Sequence, residues 1–183
     1  MIKPLTEKRL YNITLFYLSK YDASSAKVRQ MLLRRIDKAR QAGLEIPTDI
    51  HNHIEVILKK MKELGYLDDN RFAENQVRIL LRQGKSTAFI LQKLNQAGIS
   101  NEIVKKYLTE QDASDTEQAF NWLKRHKKGG FRTSLKQIDS MELFKKDLAA
   151  LGRQGFSFCC AKAALTQSIK YQINESDLDN SSD

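Results

Sequence analysis

Residues 94–108, Leu-Asn-Gln-Ala-Gly-Ile-Ser-Asn-Glu-Ile-Val-Lys-Lys-Tyr-Leu, return 57 positions later as residues 151–165, Leu-Gly-Arg-Gln-Gly-Phe-Ser-Phe-Cys-Cys-Ala-Lys-Ala-Ala-Leu. Leu94/Leu151, Gly98/Gly155, Ser100/Ser157, Lys105/Lys162 and Leu108/Leu165 coincide, and the apolar positions between them largely match. A chain that copies itself in this way is built from a small recurring unit, here a helix, a Gly-apolar-Ser turn and a second helix. A weaker copy lies upstream. Ser24, Val28 and Leu32 match Ser86, Ile90 and Leu94 at an offset of 62, whereas Ile57, Leu58 and Met61 match Ile103, Val104 and Tyr107 at an offset of 46. The 16-residue difference is extra chain around residues 34–50.

Apolar residues follow helical spacing almost throughout, and strand-like alternation is hard to find. Ile50, Ile54, Ile57, Leu58, Met61 and Leu64 fall on one helix face. Shorter faces are Val28, Met31, Leu32, Ile36; Ala73, Val77, Leu80, Leu81; Ile90, Leu91, Leu94; and Ile103, Val104, Tyr107, Leu108. Helices this short are marginal alone in water and must be stabilised by their neighbours. Ser24/Ser25, Ser86, Ser100 and Ser157 each precede a helical run, where a hydroxyl accepts the unpaired amides of the first turn. Gly65, Gly98 and Gly155 each follow one, where a left-handed position favours glycine.

Adding the helices that precede each pair, near residues 10–18, 71–81 and 117–126, predicts an all-α fold of three tandem three-helix repeats in an elongated array. The first repeat covers 1–65 with a long connection between its second and third helices, the second 66–112, and the third 113–170 with a structureless insertion near 129–140. Residues 171–183 carry four acids and no basic residue, and are expected to form a disordered tail.

The only cysteines, Cys159 and Cys160, are adjacent and do not resemble a secreted disulfide framework. No run approaches the ~18 apolar residues that span a bilayer, and the first ten residues lack the apolar core of an export signal. These features predict a cytoplasmic chain with no membrane partner. The formal net charge is +9, which favours polyanionic partners, nucleic acid or acidic protein surface. Without the acidic tail, residues 1–170 carry +13, and the surplus is uneven. Residues 27–40 hold six basic residues against one acid, residues 119–170 carry a net +8, and residues 66–118 a net −1. The clusters Arg34/Arg35/Lys38/Arg40 and Lys124/Arg125/Lys127/Lys128 are the leading contacts for a polyanion, with Arg78, Arg82 and Lys85 between them.

Signals of catalysis fail on inspection. Gly84-Lys-Ser-Thr87 has the end of a phosphate-binding loop, but position 79 is Ile rather than Gly and lies on a helix, so Ser86 reads better as a cap. His51 and His53, two apart, point about 200° from each other on a helix and cannot share a metal. Cys160 aligns with Ile103 and is expected to be a small core residue. Trp122 could stack on a base, but its helix pattern with Ala119 and Leu123 favours the core. No nucleophile–base pair or metal set converges, so no catalytic residue, metal or cofactor is expected.

The stretch Gly65-Tyr-Leu-Asp-Asp-Asn-Arg-Phe-Ala73 reads first as structure. Asp68 or Asp69 can cap a helix beginning near Asn70, Glu74 complements the helix dipole, and Tyr66, Leu67 and Phe72 can bury at the junction between repeats. Arg71 is the exception, a candidate contact. Taken with the Gly98-Ile-Ser100 and Gly155-Phe-Ser157 turns and the tandem three-helix arrangement, this stretch closely resembles the RecX family of bacterial recombinase regulators, over about residues 8–170. The resemblance implies a non-enzymatic, monomeric protein of the SOS response, DNA repair and DNA recombination. It would bind RecA filaments on DNA, with DNA within or beside the filament, and restrain RecA's ATP hydrolysis, strand exchange and coprotease activity. A helical protein that binds DNA directly is the alternative that the charge alone supports.

Overall fold

In the computed structural model the described residues are 5–112, 114–132 and 140–179, with side chains to residue 171. They form nine α-helices and one 3₁₀ turn, and no strand occurs among them. The helices are α1 (Glu7–Leu18), α2 (Ser25–Gln41), α3 (Ile50–Glu63), α4 (Asp69–Arg82), α5 (Thr87–Gln96), α6 (Asn101–Glu110), α7 (Asp115–Arg125), α8 (Ser140–Arg153) and α9 (Phe158–Asp179). The all-helical expectation is met. No helix among the described residues is long and apolar enough to cross a membrane.

The chain packs as two units, Met1–Asn75 with Leu94–Ile103, and Gln76–Lys93 with Val104–Asp183. The helices of the second sequence repeat, α4, α5 and α6, are divided between them. In the first unit Leu10, Val28, Leu32, Ile36, Ile54, Ile57 and Met61 close a core among α1, α2 and α3. The predicted face of α3 is buried from Ile50 to Met61, but Leu64, at the C-cap where the chain turns away, is exposed. In the second unit Ala119, Trp122, Leu123, Leu151, Phe156, Ala164 and Leu165 form the core of α7, α8 and α9. Trp122 is therefore a core residue, stacked on His126. Cys160, expected in the core, is only partly buried and Cys159 is exposed, because the buried face of α9 begins at Ala161.

The punctuation is realised residue by residue. The hydroxyls of Ser24, Ser86, Ser100 and Ser157 accept from the amides of Lys27, Phe89, Ile103 and Cys160. Gly65, Gly98 and Gly155 have φ of +73°, +76° and +90°. Between the two candidate caps before α4, Asp68 does the capping, accepting from the amides of Asn70 and Arg71 at 2.9 and 3.0 Å. Leu67 and Phe72 are buried as expected, whereas Tyr66 is exposed, since it directly follows the turn at Gly65.

Asp69 is released for a different task, which recurs. In the first unit the amide of Ser25, at the start of α2, donates to Asp69 Oδ1 at 2.7 Å, and Ser24 Oγ donates to the Ala97 carbonyl at 2.5 Å. A Cβ on the next residue, Gly98, would collide with the methyl of Ala26. In the second unit the amide of Thr87, at the start of α5, donates to Asp115 Oδ1 at 2.8 Å, and the Ser86 amide reaches the Gln154 carbonyl at 3.5 Å. A Cβ on Gly155 would strike Ser86 Oγ and Phe89. Each arrangement joins the N-terminus of one helix to a carboxylate from the first turn of a later helix and to the glycine turn beyond it. Burial works against a charged Asp69, but the Ser25 amide, the nearby Ser25 hydroxyl and the Lys62 ammonium 3.3 Å away outweigh it and hold its carboxyl below the ordinary carboxylate range.

Two sequence expectations need correction. The extra chain near residues 34–50 is not only a connection: α2 has 17 residues where α5 has 10, so part of it lengthens a helix. Nor is the insertion structureless at its start. Gly129–Phe131 forms the 3₁₀ turn, and Asp147, 1% exposed, accepts from the Gly129 amide at 2.8 Å, Lys128 Nζ at 3.3 Å and Arg132 Nη2 at 2.6 and 2.7 Å. Gly130 donates to Ser168 Oγ and lies so close to the Ser168 backbone that no side chain fits. Residues 133–139 of the insertion lie outside the described residues. Helix α9 continues to Asp179, into the stretch expected to be a disordered tail; residues 180–183 lie outside the described residues.

Gly98→Ala combines an unfavourable positive φ with overpacking against Ala26, and is expected to destabilise by about 2–4 kcal/mol in urea unfolding. Gly65→Ala, with open space around its Cβ, should show only the backbone part, about 1–2 kcal/mol. Because Asp69 has a lowered pKa in the folded chain, its carboxylate contributes stability above the unfolded carboxylate range and loses it as pH falls through the folded value. Asp69→Asn is therefore expected to lower stability at neutral pH and flatten its decline on acidification, as followed by urea midpoints between neutral and acid pH. Asp147→Ala leaves Arg132 without its partner and should cost about 3–5 kcal/mol, with faster tryptic cleavage after Arg132.

Candidate polyanion-binding grooves

Helix α2 buries Val28, Leu32, Ile36 and Ala39, one side of a helix turning ~100° per residue. Lys27, Met31, Arg34, Arg35 and Lys38 then share a neighbouring stripe, and with Tyr17 of α1 and Gln30 they line an open groove of about 560 Å³. Arg35 and Lys38 lie beyond the position where α5 ends at the offset of 62, so the lengthened part of α2 supplies them. Among the described residues no ion pair engages Arg34, Arg35 or Lys38. Arg40, grouped with these three by sequence, does not join them. Residues two apart on a helix face away from each other, and Arg40 sits 3.6 Å from Asp37 on another side.

A second groove, of about 500 Å³ in the second unit, assembles residues that the sequence leaves far apart. Arg78 and Arg82, one turn apart on α4, meet Lys124 and Arg125 at the end of α7, with Gln111, Gln118 and Asn121 between them. Neither groove is lined by a carboxylate. Clusters of cations on concave surfaces concentrate polyanions, and the amides of the second groove add neutral hydrogen-bonding capacity.

The remaining candidates lie outside the two grooves. Arg71 Nη2 donates to the Gly65 carbonyl at 3.3 Å and closes the turn before α4. Lys85 donates to Gln154 Oε1 at 2.6 Å and lies 5.0 Å from the centre of the Phe89 ring. Lys128 is held by Asp147, while Lys127 is exposed in a left-handed conformation just after α7, outside the groove. Sequence reasoning missed Tyr17 and the amide side chains, which carry no charge signal. It also missed Asp115, although its offset of 46 from Asp69 equals one already read in the repeats. Among the described residues no group of His, Cys, Asp and Glu side chains is placed to hold a metal ion.

Removing charge from one groove should leave the other intact. Arg78→Gln with Arg82→Gln is expected to lower heparin-column retention while urea stability changes by less than about 0.5 kcal/mol, since both residues are exposed.

Comparison with known proteins places these features in a family. The family model described as "RecX, second three-helix domain" matches residues 68–108, the stretch that begins at the Asp68 cap. The Regulatory protein RecX of Myxococcus xanthus (strain DK1622) is 32% identical over 158 residues, covering 85% of this chain and 83% of that protein. That of Streptococcus mutans serotype c is 29% identical over 157 residues, 84% of this chain and 53% of the longer relative. In fold, the chain is similar to the crystal structure of RecX from Lactobacillus salivarius, with a TM-score of 0.62 at 22% identity over 90% of this chain and 97% of that one. Carrying the Asp68-Asp69 motif, the glycine turns and an alignment that spans most of both chains, this protein belongs to the RecX family of regulatory proteins.

Proposed function

We propose that this chain is a non-enzymatic regulator that binds the RecA filament on DNA and modulates it, mainly by restraining its ATPase, strand-exchange and coprotease activities. Membership of the RecX family carries this reading, and the family resemblance supplies the name of the filament. The two grooves without carboxylates support it, because a nucleoprotein filament is a polyanion that a basic concave surface attracts. On this reading the three sequence repeats, 1–65, 66–112 and 113–170, touch successive subunits, and weak contacts add through effective concentration. Restraint follows from differential affinity, the regulator favouring a filament state that turns over or extends poorly. The protein acts as a cytoplasmic monomer in DNA repair and recombination under the SOS response, with no metal or cofactor.

The same grooves favour a second reading, a helical protein that binds DNA directly and tightly. Co-sedimentation separates the two. The regulator reading expects pelleting with RecA filaments at physiological salt and little with bare DNA, together with a fall in RecA's single-strand-dependent ATP hydrolysis at sub-filament amounts. Unchanged ATPase and strand exchange would sink it, and nanomolar binding to bare DNA at that salt would favour the second reading.

A further inference from the structure

The two grooves differ in one respect that charge does not explain. The groove of the second unit is lined by cations and amides and by no aromatic side chain, and Trp122, against Gly84 at its edge, is buried at 6% exposure beside His126. The groove of the first unit is walled by an aromatic ring. Tyr17 lines it and packs against Tyr21 at 5.1 Å between ring centres, and Tyr21 is 59% exposed. Its cations are strung out rather than converging on one point: Lys27 to Lys38 spans eleven residues, about 16 Å of helix. Such a row meets several phosphates of a chain in turn, not a single phosphate group. Lys27, at one end of the row, also lies 5.4 Å from the centre of the Phe72 ring, and Arg34, Arg35 and Lys38, within one turn at the other end, have no ion pair among the described residues.

A row of cations beside an open aromatic platform matches what an unpaired strand offers, a backbone to neutralise and bases with free faces to stack. In a duplex those faces are already stacked inside the helix. We propose that this groove is a binding site for single-stranded nucleic acid, with backbone phosphates along the row from Lys27 to Lys38 and an unpaired base stacked on the Tyr17–Tyr21 pair. With so few phosphate contacts the site is weak at physiological salt and visible at low salt, so it does not require the tight bare-DNA binding that would favour the second reading above. It stands apart from the RecA proposal, because its test contains no RecA.

The full chain is titrated into a fluorescein-labelled 15-nucleotide oligo(dT) and into a duplex of equal length, by anisotropy across a low-salt series. The single strand is expected to bind more tightly than the duplex. Tyr17→Leu, which keeps apolar packing against the core but removes the ring, should weaken single-strand binding by roughly 5- to 150-fold and leave the duplex unchanged. Tyr17→Phe should restore it. The triple variant Arg34→Gln, Arg35→Gln, Lys38→Gln should flatten the log–log salt dependence for the single strand by about 2, the share of three phosphate contacts. Photocrosslinking of an iodouracil-substituted strand should fall on Tyr17 or Tyr21. Single-strand binding unchanged in Tyr17→Leu, or crosslinks confined to residues 104–171, overturns the proposal. Absence of single-strand binding at low salt also overturns it.

Discussion

The first amides of a helix have no partner within it and must be satisfied from outside. In this chain two such amides, those of Ser25 and Thr87, are satisfied by carboxylates carried on the first turn of a later helix, Asp69 and Asp115. Much else is arranged around that contact. Because the serine before each amide acts as the cap, its own outer hydrogen-bonding group is free to hold a carbonyl at the later glycine turn, through the Ser24 hydroxyl in one place and the Ser86 amide in the other. Close approach of helix and turn then leaves no room for a side chain at Gly98 or Gly155. Serine, aspartate and glycine at these positions act as one device, used twice.

That device lets each core remain small. The cores of the two units are built from apolar residues, aromatic as well as aliphatic in the second, and polar contacts at helix ends determine which helix start meets which turn. Directional hydrogen bonds specify register where apolar packing alone tolerates alternatives. The same economy shows at Asp147, whose buried carboxylate holds Lys128, the Gly129 amide and Arg132 together and turns the beginning of an insertion into ordered chain. Charges spent in this way are lost to any partner. Lys85, Lys128 and Arg71 look like their neighbours in composition, yet each is tied to a group of this chain, while Arg34, Arg35, Lys38, Arg82 and Arg125 line the open grooves.

How much of this could be read beforehand depended on the range of the interaction. Helix caps at Ser24, Ser86, Ser100 and Ser157 and left-handed glycines at 65, 98 and 155 are local, decided within a few residues, and each was legible. Helical periodicity located the buried faces, failing at Leu64 and Tyr66, where the chain leaves the helix and the period no longer applies. The sites fared less well. Arg40 neighbours Arg34 and Arg35 along the chain, although helical rotation carries it to another side. Arg78 and Arg82 stand far from Lys124 and Arg125 in the sequence, although α4 and α7 bring the four to one groove.

By itself the sequence determined the helical class, the places where helices start and stop, and the family, because apolar period, capping chemistry and the Asp68-Asp69 motif are written in neighbouring residues. Tertiary structure alone decided which of the two aspartates caps and which reaches Ser25, which cations are neutralised by Asp147 and which line a groove, and that one groove has a tyrosine on its wall. The physical reason is that these outcomes turn on distances between side chains tens of residues apart, and charge or ring identity does not encode the partner that folding brings within hydrogen-bond reach.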